Sequence, residues 1–382
     1  MGDVERLVAL HLALQPVERA LITDTLVDTN SQRNLIEQTI RNPHLTLYPP
    51  APDYQHKFWK NVIAEIEDEI YVHLISTLSV PVRQGPPEAS YLTYLLRRPE
   101  SSPISADTWR RPPGVDNFSQ DQRPLTILES RTTIERGTTG LRTWRASLDL
   151  AEWVLRNNLF SARILELGSG AGLLGLVIAT IQQLARPNAD ANHLRETPCI
   201  CMTDVDEDVL RRAIDGLNFS QDMVDGNPNV HVRALDWTDS LNPDRRVHVQ
   251  SLLEEIDADV ILAADVVYDL SIIPSLTSTL RLALERPLPK EQPWHRDASN
   301  NTRAQHRIAY VALTLRREQS FTEFLASAAT EERQRLAVNI IDMNLPPHWN
   351  RVFRGSDDSA SRGTDSTRLV CLTLKDAERR SE

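Results

Sequence analysis

The chain has 382 residues, 41% hydrophobic and 25% charged, with a formal net charge of −11. This is an ordinary globular composition, long enough for one large domain or two moderate ones. Basic residues are almost all arginine, the only lysines being Lys57, Lys60, Lys290 and Lys375, and the acidic balance excludes a nucleic-acid binder held by a broad basic surface while leaving room for a basic protein partner.

In chain order, residues 1 to about 100 read as a helical accessory region. Leu7, Leu10, Leu14, Val17 and Leu21 begin an apolar stripe that Leu35, Ile36 and Ile40 continue. Tyr48-Pro49-Pro50-Ala51-Pro52 breaks it, because prolines cannot sit inside a helix. Phe58, Val62, Ile66, Ile70 and Leu74 then recur at helical spacing. Residues 101–135 carry Pro103, Pro112, Pro113 and Pro124 among polar side chains and read as a connector. From residue 136 to about 376 short apolar strands alternate with helices. Strands are expected at 163–167, 199–203, 230–235, 258–263, 308–315 and 368–374, and helices at 142–155, 173–184 and 209–217. That alternation implies an α/β fold with a mostly parallel sheet covered on both faces. Polar stretches at 186–197, 287–306 and 354–367 read as surface insertions. The start of the chain lacks the basic region of a secretory signal. No stretch approaches the roughly 18 apolar residues of a membrane span. Three cysteines, Cys199, Cys201 and Cys371, are too few for a disulfide framework. A cytoplasmic monomer without a metal site is the expectation.

One segment carries chemistry. Glu166-Leu167-Gly168-Ser169-Gly170-Ala171-Gly172-Leu173-Leu174-Gly175 ends a strand in glycines and turns directly into a helix. Removing Cβ atoms there lets backbone approach a ligand, and open parallel sheets bind ligands at the carboxyl ends of their strands. Two cofactors compete for such a loop. Gly170-x-Gly172-x-x-Gly175 matches the dinucleotide fingerprint, but where that fingerprint expects an acidic residue about 20 positions later, Asp204 comes 29 after Gly175 and requires an insertion. The other register takes Glu166 and then Gly168-Ser169-Gly170, which resembles the class I S-adenosylmethionine (SAM)-dependent methyltransferases.

Two further stretches favour the second register. Asp236-Trp237 follows the third strand of this region, and Ala264-Asp265-Val266-Val267-Tyr268 follows the fourth. With Trp144 upstream, they resemble the seven-β-strand protein-lysine methyltransferases whose fourth strand ends in Asp-x-x-Tyr. More narrowly, Gly137-Thr138-Thr139-Gly140-Leu141-Arg142-Thr143-Trp144 is similar to a segment of the elongation factor 2 lysine methyltransferase family. Tyr48-Pro49-Pro50, Tyr54 and Phe58 resemble that family's N-terminal stretch. The resemblance implies a Rossmann-like, seven-stranded class I sheet behind a helical N-terminal region. It also implies a protein substrate, elongation factor 2, rather than nucleic acid or membrane. It places Trp144, Glu166, Gly168, Ser169, Gly170, Asp204, Trp237 and Ala264 at SAM, with Asp204 on the ribose hydroxyls and Trp237 beside the adenine. Asp265, orienting the incoming ammonium, and Tyr268 would face the lysine channel. The competing expectations are a methyltransferase of another protein or a small molecule, an inactive adaptor that keeps the fold, and a nicotinamide-dependent oxidoreductase.

Overall fold

The computed structural model describes residues 3–63, 86–99, 102–185, 198–219, 229–285, 307–329, 336–346, 351–354 and 367–374. The expected helical positions Ile66, Ile70 and Leu74 lie outside them, as do the three expected insertions apart from residues 354 and 367 at their edges. Two compact units result: Met1–Arg142 with Asp215–Gln221 and Pro346–Thr364, and Thr143–Ile214 with Asp222–Leu345 and Asp365–Glu382.

The first unit starts with helices Asp3–Leu12, Arg19–Thr25, Thr29–Gln38, Pro43–Leu47 and Pro52–Val62. Asp28 and Asn42 cap two of these through side-chain oxygens that accept backbone N–H groups, and Pro43 and Pro52 occupy first-turn positions where no N–H is needed. Leu7, Leu12, Ile22, Leu35, Phe58 and Trp59 pack into its core.

This unit is not helical alone, and residues 101–135 are not a connector. Strands, numbered along the chain, are β1 (Ser90–Arg97), β2 (Gln122–Glu129) and β9 (Phe353–Arg354), which form an antiparallel sheet in the order β2-β1-β9. Pro124 had argued against a strand. It sits opposite Leu95 on β2, and β2 is an edge strand, where a missing N–H costs no ladder bond. Several polar residues of the stretch are paired. Arg111 and Asp116 form a buried ion pair, and Arg123 donates to the Trp109 carbonyl at 2.6 Å. Thr93 and Thr126 meet across the sheet at 2.9 Å, and the His44 ring lies 2.8 Å from the Thr126 hydroxyl. Burial drives the His44 pKa down to about 4, so this ring is neutral. Arg136 and Gly137, both at positive φ, form a tight turn closed by reciprocal Glu135–Thr138 backbone bonds.

In the second unit, β3 (Arg163–Leu167), β4 (Cys199–Asp204), β5 (Val230–Ala234), β6 (Val260–Ala264), β7 (Ile308–Thr314), β8 (Leu336–Ile341) and β10 (Thr367–Leu374) build one sheet in the order β5-β4-β3-β6-β7-β10-β8. The first five are parallel, and β10 runs antiparallel to both neighbours. Residues alternate across each strand. Leu165 and Leu167 face a core shared with helices Arg246–Ile256, Ile273–Leu284 and Glu318–Ala329. Glu166 points the other way, where helices Arg145–Arg156 and Leu173–Ala185 pack on each other. The strand order reverses between β3 and β6, which remain parallel, so the loops after those strands share the crevice at the switch point. Glycines 168–172 follow one strand and Asp265–Tyr268 the other. Among the described residues, no helix is long and apolar enough to cross a membrane.

Candidate active site

The glycine loop is shaped by what each missing Cβ would meet. Gly168, Gly170 and Gly172 all have positive φ, which favours glycine. A Cβ on Gly168 would lie 2.8 Å from Val266 Cγ1 and 3.3 Å from the Trp237 ring. The loops after β3, β5 and β6 therefore converge on one backbone atom. Gly172 and Gly175 have a different job. Their Cβ positions fall within 2.9 Å of Met202 side-chain atoms, so these glycines let the helix Leu173–Ala185 pack against β4.

Hydrogen bonds tie the loop to β4. Ser169 N–H donates to the Thr203 carbonyl at 2.8 Å, and Thr203 Oγ1 donates to the Glu166 carbonyl at 2.6 Å. The Asp204 carboxylate accepts from Gly170 N–H at 3.2 Å, Val205 N–H at 2.8 Å and Asp206 N–H at 3.3 Å. Burial raises the Asp204 pKa and these N–H groups oppose the rise. Glu166 lies beneath the loop, wholly buried. Desolvation, and secondarily the Asp204 charge, push its pKa up to about 8, against a backbone N–H from Gly175. At neutral pH Glu166 is thus protonated. A carboxyl protonated in the fold but ionised when unfolded loses stability as pH rises from about 4.5 to about 8, and the loss is complete above that. Gln mimics the protonated form. The melting temperature of Glu166→Gln should therefore gain on the native chain between pH 5 and pH 8.5. A constant offset across that range would show that Glu166 does not titrate there.

Asp265 closes the other side of the crevice. It is a non-glycine residue at φ +54, and its N–H donates to the Ala312 carbonyl at 2.8 Å. Its carboxylate accepts from Thr314 N–H at 2.7 Å, Thr314 Oγ1–H at 2.8 Å and Ala146 N–H at 3.4 Å. Arg316 Nη2 stands 3.6 Å away, and the same guanidinium lies over the Trp144 ring, 4.5 Å from its centroid. Trp144 is the extended residue that starts the helix Arg145–Arg156, which therefore begins three residues later than its apolar pattern suggested. A cavity of about 230 Å³ opens here, with Asp265, Tyr268, Thr314, Arg316 and Phe321 among its walls.

The structure thus gathers the expected residues into two adjoining groups. Gly168, Ser169, Gly170, Asp204 and Trp237 meet at the glycine loop, with Glu166 beneath. Trp144 and Asp265 meet through Arg316, Tyr268 lines the cavity beside them, and Ala264 ends β6 opposite Ala312. Thr314 and Arg316 were missed in the sequence. Their one signal was a Thr-Leu-Arg-Arg run immediately after an apolar strand. Among the described residues, no cluster of His, Cys, Asp and Glu could hold a metal ion.

Whether SAM fits can be tested on the loop itself. It offers a backbone cradle that a side chain at Gly168 would fill. Three buried polar atoms lack partners: Ser169 Oγ, Trp237 Nε1 and Glu166 Oε2. Buried polar atoms are normally paired, so this set fits a ligand with several donors and acceptors, as SAM has. A sheet of this order, with a glycine loop at its switch point and an acidic residue ending the next strand, defines a Rossmann-like class I methyltransferase that uses SAM. Residues 119–287 match a family model described as lysine methyltransferase. Over 271 residues the chain is 31% identical to the human protein-lysine N-methyltransferase EEF2KMT, covering 66% of this chain and 67% of that protein. EEF2KMT from Mus musculus is 28% identical over 337 residues, 85% of this chain and 81% of its own. EFM3 from Chaetomium thermophilum, also a protein-lysine N-methyltransferase, is 33% identical over 159 residues, 41% and 42% of the two chains. The chain belongs to this family of SAM-dependent protein-lysine N-methyltransferases.

Proposed function

We propose that this enzyme methylates a lysine of translation elongation factor 2 in the cytoplasm. The observation that carries the reading is Gly137–Trp144, Gly-Thr-Thr-Gly-Leu-Arg-Thr-Trp, which resembles the corresponding segment of the elongation factor 2 methyltransferases. Kinship with EEF2KMT supports it. Purified elongation factor 2 incubated with the enzyme and tritiated SAM should become labelled on a lysine, located by mass spectrometry. Label appearing only on another protein rejects this substrate.

In this reading the backbone of Gly168, Ser169 and Gly170 cradles the cofactor, Asp204 takes the ribose hydroxyls, and Trp237, Trp144 and Ala264 wall it in. Glu166 holds the loop from below. The cofactor, when bound, supplies an electrophilic methyl on a sulfonium sulfur. The protein's contribution is chiefly positioning: a lysine nitrogen held in line as a near-attack geometry is worth several orders of magnitude without strong acid or base catalysis. Tyr268 and Phe321 line the lysine's path. Asp265 serves by holding Thr314, Ala146 and Arg316 in place, because its oxygens already accept from the first two and pair with the third. Asp204→Ala should weaken SAM binding about 10- to 100-fold in calorimetry, since the change removes a ribose acceptor and frees Gly170 N–H. Unchanged affinity would remove Asp204 from the cofactor site.

A further inference from the structure

Methyl transfer to lysine requires the neutral amine, yet a free lysine ammonium has a pKa of about 10.4. Nothing at the cavity is built to take that proton. Asp265, the one carboxylate in the lining, is hydrogen-bonded to Thr314 and Ala146 and faces Arg316. Its side chain is only 8% exposed. Tyr268 is 57% exposed.

The charges of the lining run the other way. Its titratable and charged groups are Asp265 and Tyr268 after β6, and Arg316 and Arg317 after β7. The remaining walls are uncharged, Leu313 and Phe321 being the largest. Glu318 starts the helix that carries Phe321, and Asp269 follows Tyr268, but neither lines the cavity. Asp265 balances Arg316. Arg317 makes no ion pair among the described residues. At neutral pH the lining therefore carries one uncompensated positive charge.

We infer that Arg317 activates the substrate lysine by repulsion: its uncompensated charge destabilises the ammonium inside the cavity, so the side chain gives its proton to water and enters as the amine. The inference rests on the lysine-methyltransferase reading of this cavity. The step is a simple deprotonation, in which one N–H bond breaks, the electron pair stays on nitrogen and the proton leaves with solvent. A like charge about 6 Å away, partly screened, lowers an ammonium pKa by roughly one unit. Arg317 supplies this field, while Arg316, neutralised by Asp265, stands over Trp144.

Two measurements test the inference. The first is the single-turnover rate of elongation factor 2 methylation against pH at saturating enzyme, which reports the bound amine rather than the free one. Arg317→Gln should move the midpoint up by about half a unit to one unit, with rates converging with those of the native enzyme at high pH. Asp265→Asn should move it down, whatever its rate. A lower rate at every pH with an unmoved midpoint would make Arg317 a contact residue and overturn the inference. The second needs no acceptor protein: Tyr268→Lys places a reporter amine in the cavity wall, titrated by acetic anhydride labelling and mass spectrometry. Its pKa should lie below 10.4 and rise when Arg317→Gln is added. A reporter that titrates as a free lysine overturns the inference. Failure of elongation factor 2 to accept methyl, with a depressed reporter pKa, instead rejects the substrate and leaves the field in place.

Discussion

Asp265→Ala should lower the rate of methyl transfer at least about 100-fold while SAM still binds within about threefold of the native affinity, a split that positioning effects of this size produce. Among the described residues, every polar contact of the Asp265 side chain runs to Thr314, Ala146 or Arg316, and none to the glycine loop. Removing the carboxylate strips Thr314 N–H of its acceptor and releases the guanidinium that rests on Trp144. The wall of the cavity then moves, while the glycine loop keeps its own bonds to Thr203 and Asp204. Backbone conformation adds to the cost, because Ala at φ +54 is disfavoured by roughly 1–2 kcal/mol. Asn tolerates that conformation far better. Asp265→Asn should therefore fold nearly as stably as the native chain and lose less activity than Ala. Calorimetry and single-turnover kinetics on both variants check the split. Loss of SAM affinity in parallel with activity would assign Asp265 to the cofactor instead.

Gly168→Ala should have the largest effect on the cofactor side. Its methyl would come within 2.8 Å of Val266 Cγ1 and 3.3 Å of Trp237, at a φ of +68 that L-residues rarely adopt. Overpacking of this kind costs about 1–3 kcal/mol beyond the backbone strain. For a protein of this size the melting temperature should fall by about 5–10 °C. Affinity for SAM should drop at least about tenfold, because the loop and the Trp237 ring must part to admit the methyl. Gly172→Ala offers a contrast, since its Cβ would press on Met202 and Ala213, inside the packing of the unit. That substitution should destabilise the fold without singling out the cofactor. Thermal denaturation with and without SAM separates the two, and equal stabilisation of both variants by SAM would contradict the assignment of Gly168 to the cradle.

How much of this was legible beforehand depended on where each element lies. The parallel strands β3, β4, β6 and β7 are buried between helices, so they read as continuous apolar runs, with few ways to misplace them. The edges were harder. β2 carries a proline and β8 is half-exposed, with Asn339 within it, so neither shows the pattern that burial imposes. The hairpin of the first unit was hidden for a related reason. Its polar residues, Arg111, Asp116, Thr93 and Thr126, are paired with one another, which no periodicity reports.

By itself, the sequence determined the α/β class, the glycine loop and the acidic residues at the strand ends, because these follow from local chemistry: burial writes apolar runs, and close backbone approach demands glycine. Tertiary structure alone decided which groups surround Asp265. Thr314 is nearly fifty residues away along the chain and Trp144 much further. Only the parallel register of β6 against β7, which sets Ala264 opposite Ala312, brings Thr314 and Arg316 to the Asp265 carboxylate. The charge balance of the cavity beside Asp265 is likewise a property of the folded crevice. The chain as a whole is strongly acidic, yet the cavity lining carries a net positive charge. Global charge follows from composition, whereas a site's field depends on which few groups the fold leaves uncompensated.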